Sequence, residues 1–222
     1  MKPYYEHAGI TIYHGDCREI LPQLRGDVLL TDFPYAIGVE YGTFVDDSVH
    51  LNLLIKEALP LMRECCPVTA LATGIGNIWR YPEPTWVLCW YQQNACSSTG
   101  KWGFNQWQPI IVYGTDPYLS NGLGRRPDVI VTNAPNNGLD KTLGHPCPKP
   151  TESWERIIAR ISVKKTDVLV DPLCGSGVTL EIAKNSGRTA IGIEIEEKYC
   201  EIAAKRLSQE VFQFTGDRES SI

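Results

Sequence analysis

The chain has 222 residues, of which 43% are hydrophobic and 21% charged, an ordinary globular composition that excludes global disorder. A single α/β core of this length can bury about three-quarters of the surface its unfolded chain exposes. The formal charge of −5 does not announce a polyanion partner, no apolar run approaches the roughly 18 residues of a membrane span, and the opening MKPYYEHAGI lacks the apolar stretch of a secretory leader. A soluble, intracellular protein is therefore expected, with no membrane partner. The eight cysteines are scattered without a CxxC pair, so a zinc ribbon or redox dithiol is not indicated and reduced, mostly buried thiols are.

In chain order, the first strand is predicted at Ile10 to Tyr13. A helix over Arg18 to Leu24 follows, with Ile20, Leu21 and Leu24 on one face. Asp27 to Thr31 is a short apolar strand opening onto Asp32-Phe33-Pro34-Tyr35, where Pro34 ends it. Leu51 to Met62 has the apolar spacing of an amphipathic helix and Val68 to Ala72 that of a buried strand. Residues 75–148 then hold five of the six tryptophans and more than half of the prolines. Within them, Trp86 to Trp90, Pro109 to Tyr113 and Asp128 to Val131 read as strands, and Asp116 to Arg126 as an exposed loop. Regular alternation resumes with a helix over Ser153 to Ile161, a strand at Asp167 to Val170, a helix over Val178 to Asn185, a strand at Thr189 to Ile193 and a helix over Glu196 to Leu207. Strands alternating with helices imply an α/β fold with a doubly wound, mainly parallel sheet. The expected organisation is one domain over 1–222, with a variable recognition region within about 75–148 and a loose tail over about 211–222.

Two segments carry chemistry. Asp171-Pro172-Leu173-Cys174-Gly175-Ser176-Gly177 follows a strand and opens a helix, so its glycines let backbone N–H groups approach a ligand. The next strand ends at Glu194, 17 residues after Gly177, where a carboxylate can accept hydrogen bonds from ribose hydroxyls. Together these indicate a nucleoside site. Asp32-Phe33-Pro34-Tyr35 lies at the carboxyl end of a predicted parallel strand, where open α/β sheets bind ligands. A third segment, His145-Pro146-Cys147-Pro148-Lys149-Pro150, precedes a helix. Charge is distributed accordingly: residues 99–149 carry Lys101, Arg125, Arg126, Lys141 and Lys149 against Asp116, Asp128 and Asp140, a locally basic middle in an acidic body.

With these three segments in this order, the sequence resembles the β-class amino DNA methyltransferases, which move a methyl group from S-adenosylmethionine to adenine N6 or cytosine N4. DFPY matches the family's (D/N/S)PP(Y/F/W), DPLCGSGVT its DPFxGSGTT, and HPCPKP its HPxxKP. Catalytic segment first, recognition region next and cofactor turn last is the circularly permuted order of that class. The resemblance spans about Gly9 to Leu207 and implies a Rossmann-like, seven-stranded-type methyltransferase fold. It implies that Asp171, Gly175 and Gly177, with Pro172, Cys174 and Ser176 in the same turn, line the methionine and ribose end of the cofactor. It further implies that Glu194 holds the ribose, that Asp16 lies on the adenine side, and that Lys149 and Pro150 close over the methionine end.

The chemistry asks for two acceptors on a poorly nucleophilic exocyclic amine: the Asp32 carboxylate and the carbonyl of Phe33, with Tyr35 facing a base that has left the duplex. No metal is needed. Double-stranded DNA is the implied partner, read through Asn105, Trp107, Arg125 and Arg126, and a homodimer is implied by the class. Tryptophans 79, 86, 90, 102 and 107 have the flat faces to stack on bases, but for most of them core packing is the reading, and for His145 and Cys147 loop packing. A cytoplasmic enzyme of a bacterium or phage-infected cell is expected, with any restriction nuclease on another chain. Asp at the head of DFPY favours adenine N6, with cytosine N4 the alternative. Phe33 stands where the family has proline, and Ala36 where glycine is common. This leaves open a weakened relative that binds S-adenosylmethionine or DNA without transfer. Methylation of RNA or of protein glutamine is less favoured by the permuted order. A dinucleotide oxidoreductase would leave DFPY and HPCPKP without a role.

Overall fold

The computed structural model describes residues 1–93, 97–100, 103–133 and 149–208. Its elements in chain order are β1 (Tyr5–His7), β2 (Ile10–His14), α1 (Cys17–Ile20), β3 (Val28–Asp32), α2 (Ser48–Cys65), β4 (Val68–Ala72), β5 (Trp86–Gln93), β6 (Ser97–Gly100), β7 (Gly103–Asn105), β8 (Trp107–Tyr113), α3 (Pro117–Ser120), β9 (Val129–Asn133), α4 (Thr151–Ile161), β10 (Leu169–Asp171), α5 (Val178–Asn185), β11 (Ala190–Glu194) and α6 (Glu197–Ser208). One sheet runs β1-β2-β11-β10-β3-β4-β8-β5-β9. The five strands from β2 to β4 are mutually parallel, β8 is antiparallel to both β4 and β5, and β9 is parallel to β5. Seven contiguous strands thus form the expected doubly wound core, with β1 and β9 added one at each edge.

Burial explains the layering. Alternate residues of the central strands serve two separate apolar clusters. Ile10, Ile12, Val28 and Leu30 pack beneath α4, α5 and α6, while Leu29, Leu71 and Ile193 pack beneath α1 and α2. β3 is buried on both faces, which is why its sequence reads as a continuous apolar run. α2 turns Leu51, Leu54, Ile55, Ala58, Leu59, Met62 and Cys65 inward at helical spacing, and Asp47 caps it by accepting from the N–H groups of Val49 and His50. Pro22 keeps the predicted Arg18–Leu24 helix from continuing in α geometry: one α turn is followed by a 3₁₀ turn at Leu21–Gln23. The segment read as a loop at Asp116 to Arg126 contains the single helical turn α3, which Asp116 caps.

Beyond the rim of β4, the β5–β8 ladder continues. Ala72 pairs with Ile110, yet β8 begins at Trp107 and β5 runs to Gln93, with the β6–β7 hairpin beyond. Most of the region's strands therefore belong to the main sheet, and only its far end leaves it. Core packing does not hold for Trp79 and Trp86, which are exposed. It holds for Trp90, which packs edge-on against Trp154, while Trp107 is half-buried. Trp102, His145, Cys147 and the tail over 211–222 lie outside the described residues. Among the described residues, no helix is long and apolar enough to cross a membrane.

Candidate functional site

Because β2, β3, β10 and β11 are parallel, their carboxyl ends share one rim, and a cavity of about 350 Å³ opens there. Asp16, Asp32, Asp171 and Glu194, each at or just beyond a strand end, line it together with Pro34, Lys149, Pro172, Cys174, Gly175 and Ser176. These four carboxylates and that of Glu196 line the cavity with Lys149 and Arg18, so the wall is on balance anionic and suited to a cationic ligand.

The glycine turn owes its shape to two left-handed residues, Gly175 at φ +50° and Gly177 at φ +79°. A Cβ on Gly177 would lie 2.9 Å from the Cβ of Ala203, so this glycine also sets the close approach of α5 to α6. It caps α5 rather than lining the cavity. Glu194 is buried. Its Oε2 accepts from the Gly175 N–H at 2.8 Å and its Oε1 from the Glu196 N–H at 2.9 Å. Burial raises its carboxyl above the ordinary value, opposed by those two N–H groups. A carboxylate has about four acceptor positions, so two such bonds leave capacity for a ligand's hydroxyls. Asp16 caps α1 and is gripped by Arg18, whose hydrogen bonds hold it below the usual carboxylate range; Arg18 is tied in turn to Glu57.

Asp171 is enclosed. Its Oδ1 accepts from the Thr31 hydroxyl at 2.7 Å and its Oδ2 from the Thr179 hydroxyl at 2.5 Å. Burial pushes it up to about 6, with those hydroxyls and the Leu173 N–H acting the other way. An unfolded Asp titrates near 3.8. Between the two values the native chain holds a proton that the unfolded chain has released, so stability from this group is full below about pH 4 and lost as pH rises through about 6. Asp171→Asn should remove that decline, on the order of 2–3 kcal/mol across the window. Urea unfolding at several pH values would show it, and an unchanged slope would remove Asp171 as its source.

At the end of β3, the Tyr35 hydroxyl donates to Asp32 Oδ1 at 2.8 Å, and Lys149 Nζ lies 2.6 Å from Asp32 Oδ2 and 3.2 Å from the Tyr35 oxygen. Lys149, expected at the methionine end, thus stands on the catalytic candidate itself, just ahead of Pro150, the N-cap residue of α4. Phe33 is fully buried. Its N–H donates to the Ala72 carbonyl at 3.0 Å and its ring meets Tyr81 edge-on at 5.7 Å. Ala36 adopts φ +55°, a left-handed conformation that favours glycine. Asp46 holds it there by accepting from the N–H groups of Ala36, Ile37 and Val39.

Asp46 and Asn77, whose side chain donates to the Tyr35 carbonyl, belong to no motif of the sequence. Asp-Asp-Ser at 46–48 is the only local hint, and it reads as a helix cap. Asn105 and Trp107 sit on the rim side of the sheet. Arg125 and Arg126 do not join them. Arg126 stacks on Tyr118, whose hydroxyl donates to the Ala159 carbonyl, and Arg160 pairs with Asp116 at 2.6 Å. That loop is clamped to the carboxyl end of α4, whereas Lys149 precedes its amino end.

The model of a family described as DNA methylase, covering the N6 and N4 types, matches residues 73–205. The Type II methyltransferase M.ScaI of Streptomyces caespitosus is 28% identical over 94% of this chain and 84% of its own length. M.HpaI of Haemophilus parainfluenzae is 26% identical over 83% and 68%. Among solved structures, the M1.HpyAVI–SAM complex superposes with a TM-score of 0.63 at 24% identity, covering 90% of this chain and all of that one. PvuII DNA methyltransferase, cytosine-N4-specific, superposes with 0.69 at 17%, covering 94% and 89%. The chain belongs to the N6/N4 DNA methylase family.

Proposed function

We propose that this chain transfers a methyl group from S-adenosylmethionine to the exocyclic amine of a base flipped from double-stranded DNA, with adenine N6 the favoured target. The observation that carries the reading is that Asp32 and the glycine turn, 139 residues apart in the chain at Asp32 and Asp171, line the same cavity. The cofactor fits the residues present: an anionic wall suits a sulfonium, and Glu194 keeps acceptor positions beside N–H groups of the turn. Bound there, it would supply an electrophilic methyl group.

The chain's own part is to make the amine nucleophilic. Asp32 accepts from one N–H of the amine and the Phe33 carbonyl from the other, which favours a tetrahedral nitrogen and stabilises the positive charge that develops on it. Tyr35, held through its carbonyl by Asn77 and through its hydroxyl by Asp32, presents a ring to the base. Lys149 and the Tyr35 hydroxyl take one acceptor position on each oxygen of Asp32, which leaves positions for an N–H of the amine. Phe33 speaks against a weakened relative: the N–H that proline would lack already has a partner, and the ring already has a berth. The β6–β7 end of the β5–β8 ladder, with Asn105 and Trp107, is the proposed recognition arm.

The test is methyl transfer to unmethylated DNA followed by nucleoside mass spectrometry. N6-methyladenine supports the full reading, and N4-methylcytosine keeps the mechanism while overturning the base. No methylated nucleoside, with cofactor binding shown separately, overturns it.

A further inference from the structure

Trp79 leaves 89% of its surface in water, yet the short helix that carries it, Ile75–Arg80, is held from several sides. Asn77 Nδ2 donates to the carbonyls of Tyr35 at 2.8 Å and Thr73 at 3.3 Å, and its Oδ1 accepts from Arg80 Nε at 2.9 Å. The other two guanidinium nitrogens of Arg80 reach Asn52 and Ser48 on α2, both at 3.1 Å. Gly74, which opens this helix at φ +67°, lies so close to Tyr35 that a Cβ there would stand 3.2 Å from the ring. The mount is therefore joined to the catalytic loop, at the carboxyl end of β4 and beside that of β3.

An indole kept almost wholly in water forgoes the favourable transfer that burial would give it, so folding alone does not account for Trp79. Trp86, the other strongly exposed tryptophan among the described residues, is different: its indole N–H donates to Asp128 at 3.1 Å. Neighbouring positions add to the apolar character. Ile37, two residues past Tyr35, is 69% exposed, and Val49, in the first turn of the helix that braces Arg80, is 73% exposed. A polar, well-fixed base carrying a protruding ring is the mechanical requirement for a side chain that must enter a base stack.

A base drawn into the Asp32 pocket leaves a gap in the duplex, and apolar side chains that enter between base steps can fill such a gap. We propose that Trp79 enters the duplex beside the target base and stacks on the neighbours that the base leaves behind, lowering the cost of extrusion. The proposal rests on the DNA-methylating reading above.

The experiment compares wild type, Trp79→Ala and Trp79→Phe on two duplexes, one with the target base paired and one with it facing an abasic position. A base without a partner needs less help to leave. Trp79→Ala should lose about 10- to 100-fold in kcat/KM on the paired duplex, the range expected for one stacked base. It should recover most of that loss on the abasic one, with cofactor affinity by calorimetry unchanged. Trp79→Phe should keep most of the activity on both. Equal activity of Trp79→Ala and wild type on the paired duplex overturns the proposal. So does an equal loss on both duplexes, which would mark a structural role. A wild type that methylates neither duplex overturns the functional reading and the inference with it.

Discussion

Asp32→Ala is expected to lower the rate of methyl transfer by about 10²- to 10³-fold, the range found when one preorganised hydrogen-bonding group is removed from a reaction centre. The cofactor should still bind, because the glycine turn and Glu194 are held by their own hydrogen bonds and not by Asp32. Asp32→Asn should lose less, since the amide oxygen remains an acceptor of nearly the same geometry and can still take the Tyr35 hydroxyl. Single-turnover transfer from labelled cofactor measures the step itself, and calorimetry measures binding. An alanine variant that turns over within a few-fold of wild type would take Asp32 out of the reaction.

Phe33→Pro, which restores the family's residue, is expected to destabilise the chain and to bring no gain in rate. Proline removes the N–H that Ala72 accepts at 3.0 Å, leaving a buried carbonyl short of its partner at a cost of about 1–3 kcal/mol. It also vacates most of the space of a fully buried ring between Tyr81 and the α2 side of the sheet. Truncations of buried phenylalanines cost about 3–5 kcal/mol, so Phe33→Ala should fall in that range and Phe33→Pro close to it. Urea unfolding of the three proteins at one pH would show the difference. A proline variant as stable as wild type and faster in transfer would mean that the ring is a burden rather than part of the core.

Several site elements are legible in the sequence because they are local. A strand ending in DFPY, and a GSG turn that opens a helix and is followed by a strand ending in Glu194, each lie within about 25 residues. Short-range apolar periodicity and turn chemistry are enough to place them. The parallel strands of the sheet and α2, α4, α5 and α6 were legible for the same reason. The 3₁₀ turn after α1 was not, since one proline decides it within a pattern that otherwise suits a helix. Nor was the β1 strand, three residues long, whose existence depends on pairing with β2 across two residues of turn.

Arg125 and Arg126 lie away from the strand-end rim that carries Asp32. Two adjacent arginines in a polar loop look like a surface for phosphates, but a sequence does not tell which end of a helix the loop folds against. Tyr118 and Arg160 settle that by clamping the loop to the far end of α4. Exposure of a tryptophan is likewise decided by contacts from distant elements. Trp79 is exposed because Asn77 and Arg80 fix its helix through polar bonds to Tyr35, Asn52 and Ser48, partners 28 to 42 positions away.

The sequence by itself determined the alternation of strands and helices, the glycine turn, the carboxylates at strand ends and the order of the segments, all of which follow from spacings within one element or between neighbours. Tertiary structure alone decided that Lys149 rests on Asp32, that Asp46 holds the strained backbone at Ala36, and that Ala72 receives the N–H of Phe33. Those bonds join atoms from different elements. They form because parallel strands bring their carboxyl ends to one rim, where a buried polar group must find its partner among whatever the fold has placed beside it.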